Sequence, residues 1–240
     1  MQARIRGMDL PLVLLHAFPL DSRMWDGVRE RLDPITPDQR AQGEPDLAAA
    51  ARRVLDHLDE RGIERAVVGG CSMGGYVAMA LLRQAPERLA GLVLADTRAG
   101  ADTEEARANR LAVAERAEAE GVGEWLAGTV PALLAPTSPE EVSSRVRGWV
   151  LDQDPADVAW AQRAMAARPD STELLRAARV PALVVVGEHD GLTPPRQARE
   201  LADLLRGELV QLPGVGHLAP VEAPDAFADA VLDWRQRLAL

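Results

Sequence analysis

Apolar residues fall along the chain in two rhythms. Short unbroken runs recur at Leu12-Val-Leu-Leu-His16, Ala66-Val-Val-Gly69, Gly91-Leu-Val-Leu-Ala95 and Ala182-Leu-Val-Val-Val186, with a weaker one at Glu208-Leu-Val-Gln-Leu212. Continuous rather than alternating apolar runs predict strands covered on both faces, as in a parallel sheet. Between them the spacing becomes helical. Leu47, Ala51, Val54, Leu55 and Leu58 form one stripe, Ala198, Leu201, Ala202 and Leu205 a second, and Phe227, Val231, Trp234 and Leu238 a third. Thr193 followed by Pro194 and Pro195 predicts the start of the second of these helices. Strand–helix alternation of this kind predicts an α/β fold with a doubly wound, mostly parallel sheet.

The alternation breaks between Thr97 and Arg179. Helical stripes appear there instead, at Val142, Val146, Trp149 and Val150 and again at Val158, Ala161 and Met165, punctuated by Pro131, Pro136, Pro139, Pro155 and Pro169. The predicted organisation is an α/β core of residues 1–98 and 171–240, interrupted by a helical cap over 99–170. The acid-rich stretch from Asp102 to Glu120 reads as a solvated helix face.

Composition narrows the function. The 240 residues carry 27 basic and 37 acidic side chains, a net charge of −10, and every cation is Arg. No basic patch stands out, so nucleic acid and anionic membrane surfaces are poor partners. A 47% hydrophobic fraction excludes a disordered chain. Cys71 is alone, which excludes an internal disulfide and a cysteine metal cluster. Arg4 and Arg6 ahead of Leu10–Leu20 mimic a signal peptide. The run is nevertheless interrupted by His16 and Pro19, and no small-residue cleavage site follows. The expectation is a cytoplasmic protein acting on a small molecule, with homo-oligomerisation left open.

The chemistry-bearing pattern is Gly70-Cys71-Ser72-Met73-Gly74, a G-x-S-x-G placed after a strand and ahead of the helical run Gly75–Leu82. Such a sharp strand-to-helix turn strains its central residue by roughly 1–3 kcal/mol and needs small residues two positions away on each side. It lifts a serine hydroxyl to a helix N-terminus, where developing negative charge is favoured. A serine nucleophile needs a base and an orienting acid. Of the four histidines, His57 lies on the polar side of its helix, His16 ends a strand, and His189 adjoins Asp190. His217 sits in the glycine-rich Pro213-Gly-Val-Gly-His217 loop after the last strand. The chain order Ser72, Asp190, His217 is that of the nucleophile-elbow fold. Asp96, which closes the strand Leu92–Ala95, is the rival acid. Gly187 favours Asp190 by permitting the turn that aims it, and Arg98 or a nearby backbone N–H offers Asp96 another partner. Cys71 reads as packing.

His16-Ala-Phe-Pro19, Gly70-Cys-Ser-Met-Gly74, Gly187-Glu-His-Asp190 with Pro194, and Gly214-Val-Gly-His217 together resemble the α/β-hydrolase-fold serine hydrolase superfamily. Within it the chain looks most like the 3-oxoadipate enol-lactonase and small carboxylesterase group. The resemblance implies Ser72 as nucleophile, Asp190 as acid and His217 as base, with the Phe18 and Met73 N–H groups forming the oxyanion hole. It implies no cofactor and no metal, and a small, mostly apolar ester or lactone as substrate. Related sequences with the same triad include carbon–carbon bond hydrolases, perhydrolases and lyases, and a binding module that has lost its chemistry is a further alternative. Pro37-Asp-Gln-Arg-Ala-Gln-Gly43 resembles the family loop P-D-x-R-G-x-G. Three departures stand out: Ala17 replaces the usual glycine, Met1–Asp9 is too short for the usual hairpin, and Glu30–Asp46 leaves little room for a fourth strand. Candidate substrate contacts are His16, Trp25, Trp125 and Trp149. The tryptophans, with Trp160, divide between pocket lining and helix packing.

Overall fold

Each unbroken apolar run is a strand in the computed structural model, which describes residues 10–40 and 43–238. The strands are β1 (Leu12–Leu15), β2 (Ala66–Cys71), β3 (Leu89–Ala95), β4 (Ala182–Gly187) and β5 (Glu208–Leu212). They pair in chain order and all in parallel. In β1 to β4 every residue is buried, which is why their sequences do not alternate. β5 is half exposed because it pairs on one side only, and its mixed sequence follows from that.

The pleat divides each strand between two cores. Leu12, Leu14, Val67, Val93, Leu183 and Val185 face one side, and Val13, Leu15, Val68, Leu92, Leu94 and Val184 the other. The second core is closed by α2 (Leu47–Glu60), α3 (Met73–Gln84) and α9 (Pro195–Leu205), through the predicted Leu47–Leu58 and Ala198–Leu205 stripes. The first is closed by α11 (Pro224–Arg237) through Phe227, Val231 and Trp234. The turn Ser22–Val28 and the short α1 (Arg29–Leu32) complete it. Helices on both faces make the sheet doubly wound, as expected.

A fourth-strand remnant explains where the site lies. Ile35 bridges Val13 on the free side of β1, with Leu14 N–H donating to the Ile35 carbonyl and Ile35 N–H to the Leu12 carbonyl. The compressed Glu30–Asp46 stretch therefore keeps a single bridge of that strand. From Ile35 the chain returns across β1 to β2, so its winding reverses between β1 and β2. A crevice opens beyond the carboxyl ends of strands at such a reversal. His16 ends β1 there, and Ser72 ends β2. The Met1–Asp9 expectation and the Ala41–Gln42 part of the loop pattern lie outside the described residues.

Between β3 and β4 the chain is helical: α4 (Glu104–Glu120), α5 (Glu124–Ala127), α6 (Glu140–Leu151), α7 (Pro155–Ala166) and α8 (Thr172–Ala177). α4 packs on α7, and Arg163 reaches Glu118 with both guanidinium nitrogens. One expectation about this stretch fails. Asp102 is not part of a solvated face: its side chain is 2% exposed and receives Arg98, Arg110 and Arg168. Three guanidinium groups supply what water would have supplied, so burial of the carboxylate is tolerated. They knot the two ends of this helical stretch together, beside Ser171 N–H donating to the Ala99 carbonyl and Arg168 to the Gly100 carbonyl.

The Asp102 carboxyl is held at about 2 against an ordinary 3.8. Burial works to raise it, but hydrogen bonds from Arg168 and Arg110 and their charges outweigh burial. The unfolded chain therefore binds this proton more tightly than the folded one. Its contribution to stability is complete above about pH 4 and fades as the pH falls toward 2. Asp102→Asn leaves three guanidinium groups without a counter-charge, at a cost of about 3 kcal/mol or more. Thermal melts at pH 7 are expected to drop by about 6 °C or more, with a smaller gap between wild type and variant at pH 3. An unchanged melt at pH 7 removes the knot from the stability account. No helix among the described residues is long and apolar enough to cross a membrane.

Candidate active site

The turn between β2 and α3 is built by its glycines. Ser72 sits at φ 52° and ψ −110°, an uncommon conformation for a residue with a side chain. A Cβ on Gly70 would stand 2.1 Å from the Gly74 carbonyl carbon, and one on Gly74 would stand 2.0 Å from the Leu15 oxygen. Only glycine at both positions lets α3 start this close to the sheet. Ser72 N–H donates to the Ala95 carbonyl, and the Thr97 hydroxyl donates to the Ser72 carbonyl, which fixes the turn onto the end of β3.

From that turn runs a continuous chain of hydrogen bonds. Ser72 Oγ lies 2.9 Å from His217 Nε2, and His217 Nδ1 lies 2.9 Å from each oxygen of Asp190. His217 is 3% and Asp190 2% exposed, while Ser72 is partly open to solvent. Asp190 also accepts from the Leu192 and Thr193 N–H groups at 2.9 Å and from the Thr193 hydroxyl at 2.6 Å. Burial works to raise the Asp190 carboxyl. The hydrogen bond and charge of His217, followed by those from Thr193, prevail and hold it below the usual carboxylate range. A base that takes a proton from Ser72 would thus face an acid kept ionised.

Asp96 serves other partners. Its oxygens accept the Gly187 N–H at 3.0 Å and the Ala219 N–H at 2.9 Å, so it ties the end of β4 to α10 (Ala219–Glu222). Burial first, and the nearby Asp190 charge second, push its carboxyl well above the ordinary range. Arg98 goes to Asp102 instead. Cys71 is fully buried, its thiol pushed up by burial and by Asp96, and packs as expected. His57 is half-buried beside Arg61, and His189 is exposed, both outside the hydrogen-bonded chain.

Neither the Phe18 N–H nor the Met73 N–H is taken by a protein acceptor among the described residues. A cavity of about 10 Å³, room for roughly one water, lies beside them. Its lining includes Phe18 and Met73, His16, and Val158 and Ala161 of α7. Arg40 also lines it, paired to Asp38 on the core side and Asp157 on the α7 side. His16 is buried below, with Nε2 3.7 Å from Asp38. The tryptophans separate. Trp25 has no exposed surface and tilts against Phe227 at 5.9 Å, so it offers a substrate nothing in this structure. Trp125 and Trp149 are partly buried on α5 and α6, each under an arginine, Arg116 and Arg145 respectively. Trp160 packs against the core on the α2–α3 side.

Sequence reasoning missed two groups here. Thr193 reads as a helix start, whereas Pro194 caps α9 and Thr193 braces Asp190. The signal available is the Asp-x-x-Thr spacing, which lets a carboxylate collect nearby N–H and hydroxyl donors. Glu222 lies five residues beyond His217 and has no local signal at all.

A model of the alpha/beta hydrolase family matches residues 12–230. Among solved structures, a thermophilic esterase from Thermogutta terrifontis superposes with a TM-score of 0.91 at 38% identity, covering 96% of this chain and 91% of that one. The 3-oxoadipate enol-lactonase 1 of Acinetobacter baylyi is 25% identical over 229 residues, 90% of this chain and 85% of that protein. The pimeloyl-[acyl-carrier protein] methyl ester esterase of Yersinia enterocolitica is 27% identical, with 95% and 94% covered.

Proposed function

This chain belongs to the alpha/beta hydrolase family, and from that premise we propose that it hydrolyses small, mostly apolar carboxylic esters or lactones by two-step acyl transfer. The observation that carries the reading is the unbroken Ser72–His217–Asp190 hydrogen-bonded chain. Ser72 Oγ attacks the carbonyl while His217 Nε2 takes its proton. Asp190 holds the proton on Nδ1 and stabilises the imidazolium that forms. The Phe18 and Met73 N–H groups receive the developing oxyanion, each worth about 2.7–4 kcal/mol of barrier. His217 then protonates the departing alkoxide; in the second step it draws a proton from water as the water attacks the acyl carbon, and returns that proton to Ser72 Oγ as the Oγ–acyl bond breaks and the carboxylic acid leaves. The proposed reaction uses no cofactor and no metal.

The family resemblance supports residues 99–170 as a cap, and α7 supplies part of the cavity wall. With room for about one water beside Phe18 and Met73, an ester enters when that wall gives way. Arg40 is already matched by two carboxylates, which supports a neutral acyl group over an anionic one. The esterase and enol-lactonase relatives support ester and lactone alike.

The test is a panel of p-nitrophenyl esters and small lactones of rising acyl length, run beside fluorophosphonate labelling. Turnover of the short esters with labelling at Ser72 is the expected result. Failure of both the labelling and the turnover would return the chain to a binding role. Labelling with turnover of a β-diketone rather than an ester would move it to carbon–carbon cleavage. Ala161→Leu, which narrows the cavity, is expected to lower kcat/KM for the hexanoate ester by about 10-fold relative to the acetate. Equal losses on both substrates would mean that α7 acts on the chemistry rather than on fit.

A further inference from the structure

The residue that holds His217 in place lies outside the hydrogen-bonded chain. Three consecutive N–H groups run through the histidine loop, and each has a fixed acceptor. Gly216 N–H donates to Glu222 Oε1 at 3.0 Å, His217 N–H to the Leu133 carbonyl at 3.1 Å, and Leu218 N–H to the same Glu222 oxygen at 3.3 Å. The other oxygen of Glu222 accepts the Ala135 N–H at 2.7 Å and the Ser138 hydroxyl. One half-buried carboxylate thus collects four donors. Two flank His217 and two belong to the segment between α5 and α6.

The contact is close as well as polar. A Cβ on Gly216 would stand 2.3 Å from Ala135 N and 2.5 Å from the Leu134 carbonyl carbon, so the histidine loop lies flush against the insertion. Leu133, Leu134 and Ala135 therefore form a wall against which the backbone of His217 is pinned. A carboxylate suits the place because all four neighbours are donors. An amide would turn its NH₂ toward at least one of them.

We infer that Glu222 is a positioning residue for His217, aiming the imidazole by fixing the amides on either side of it and tying that loop to Ala135. The inference rests on the reading of His217 as the base. A displacement of about 1 Å in a reacting group costs up to ~10²-fold in rate.

The experiment measures the rate of Ser72 phosphonylation by a fluorophosphonate, steady-state kinetics on p-nitrophenyl acetate, and the thermal melt. Glu222→Gln is expected to slow phosphonylation and kcat together by about 10- to 100-fold, with KM within about threefold. Ser138→Ala loosens only the insertion side and is expected to stay within about twofold of wild type. Glu222→Asp keeps the charge but withdraws it by one methylene, and carries the test if the Gln variant does not fold. It too is expected to lose kcat rather than KM. A folded Glu222 variant that reacts at the wild-type rate overturns the inference. So does equal slowing in Ser138→Ala and Glu222→Gln, which would make the carboxylate a general brace. His217→Ala separates the two readings: phosphonylation at the wild-type rate there defeats the base assignment itself, whatever Glu222 does.

Discussion

Ser72→Ala is expected to lower kcat for p-nitrophenyl acetate by about 10⁴-fold or more while the melting temperature stays within a few degrees of wild type. The two halves of that expectation have separate physical grounds. The hydroxyl's hydrogen bond in the structure is to His217 Nε2, so its removal takes away the proposed attacking atom and leaves a ring nitrogen that water can serve. The turn itself does not depend on the hydroxyl. It is held by the Ser72 N–H on the Ala95 carbonyl, by Thr97 on the Ser72 carbonyl, and by the fit of Gly70 against Gly74 and of Gly74 against β1. Alanine at φ 52° carries about the same strain as serine, so the folded state neither gains nor loses much. What survives is the contribution of substrate binding and of the two free N–H groups. Near wild-type turnover in a folded variant would remove Ser72 from the reaction, and with it the whole proposed sequence of steps.

The core was legible where one physical constraint acts on contiguous residues. β1 to β4 are buried on both faces, so their runs are uninterrupted and the parallel sheet follows. The stripes of α2, α9 and α11 follow from one-sided burial. Gly70, Ser72 and Gly74 were legible because steric demand at a sharp turn is written within five residues. What stayed hidden depends on donors that only the fold assembles. Glu222 takes hydrogen bonds from Ala135 and Ser138, more than 80 positions away in sequence. Asp102 stands at the head of an acid-rich helix and shares its composition. Its burial comes from Arg98, Arg110 and Arg168, which converge only when both ends of the helical stretch between β3 and β4 meet. Trp25 had two readings because an aromatic serves a core and a pocket equally well, and its contact with Phe227 belongs to a helix 200 positions further on.

Asp190→Asn is expected to lower kcat by up to ~10⁴-fold, and Asp96→Asn by less than about 10-fold. The structure makes the first a question of tautomer. Asp190 Oδ1 faces the N–H groups of Leu192 and Thr193, both at 2.9 Å, so an asparagine would turn its carbonyl oxygen there. Its NH₂ then occupies the Oδ2 position and donates to His217 Nδ1 instead of accepting from it. The imidazole proton is then favoured on Nε2, the nitrogen that in the proposed reaction receives the proton of Ser72 Oγ at 2.9 Å. Thr193, whose hydroxyl now donates to Oδ2, can rotate to accept, so only the retained Oδ1, also 2.9 Å from Nδ1, opposes the wrong tautomer among the described residues. Asp96 sits at the same edge of the sheet but, among the described residues, accepts only from the Gly187 and Ala219 N–H groups and from the more distant Cys71 thiol. Asparagine there keeps an oxygen for one N–H and sets NH₂ against the other, a structural cost of about 1–3 kcal/mol. The melt of Asp96→Asn should therefore fall, by about 2 °C or more, while its kcat largely holds. Asp190→Asn should show the reverse, a deep loss of kcat in a protein that melts near the wild-type temperature. Measuring kcat and the melt for both variants decides between the two acids, and a reversed ranking in kcat moves the role to Asp96.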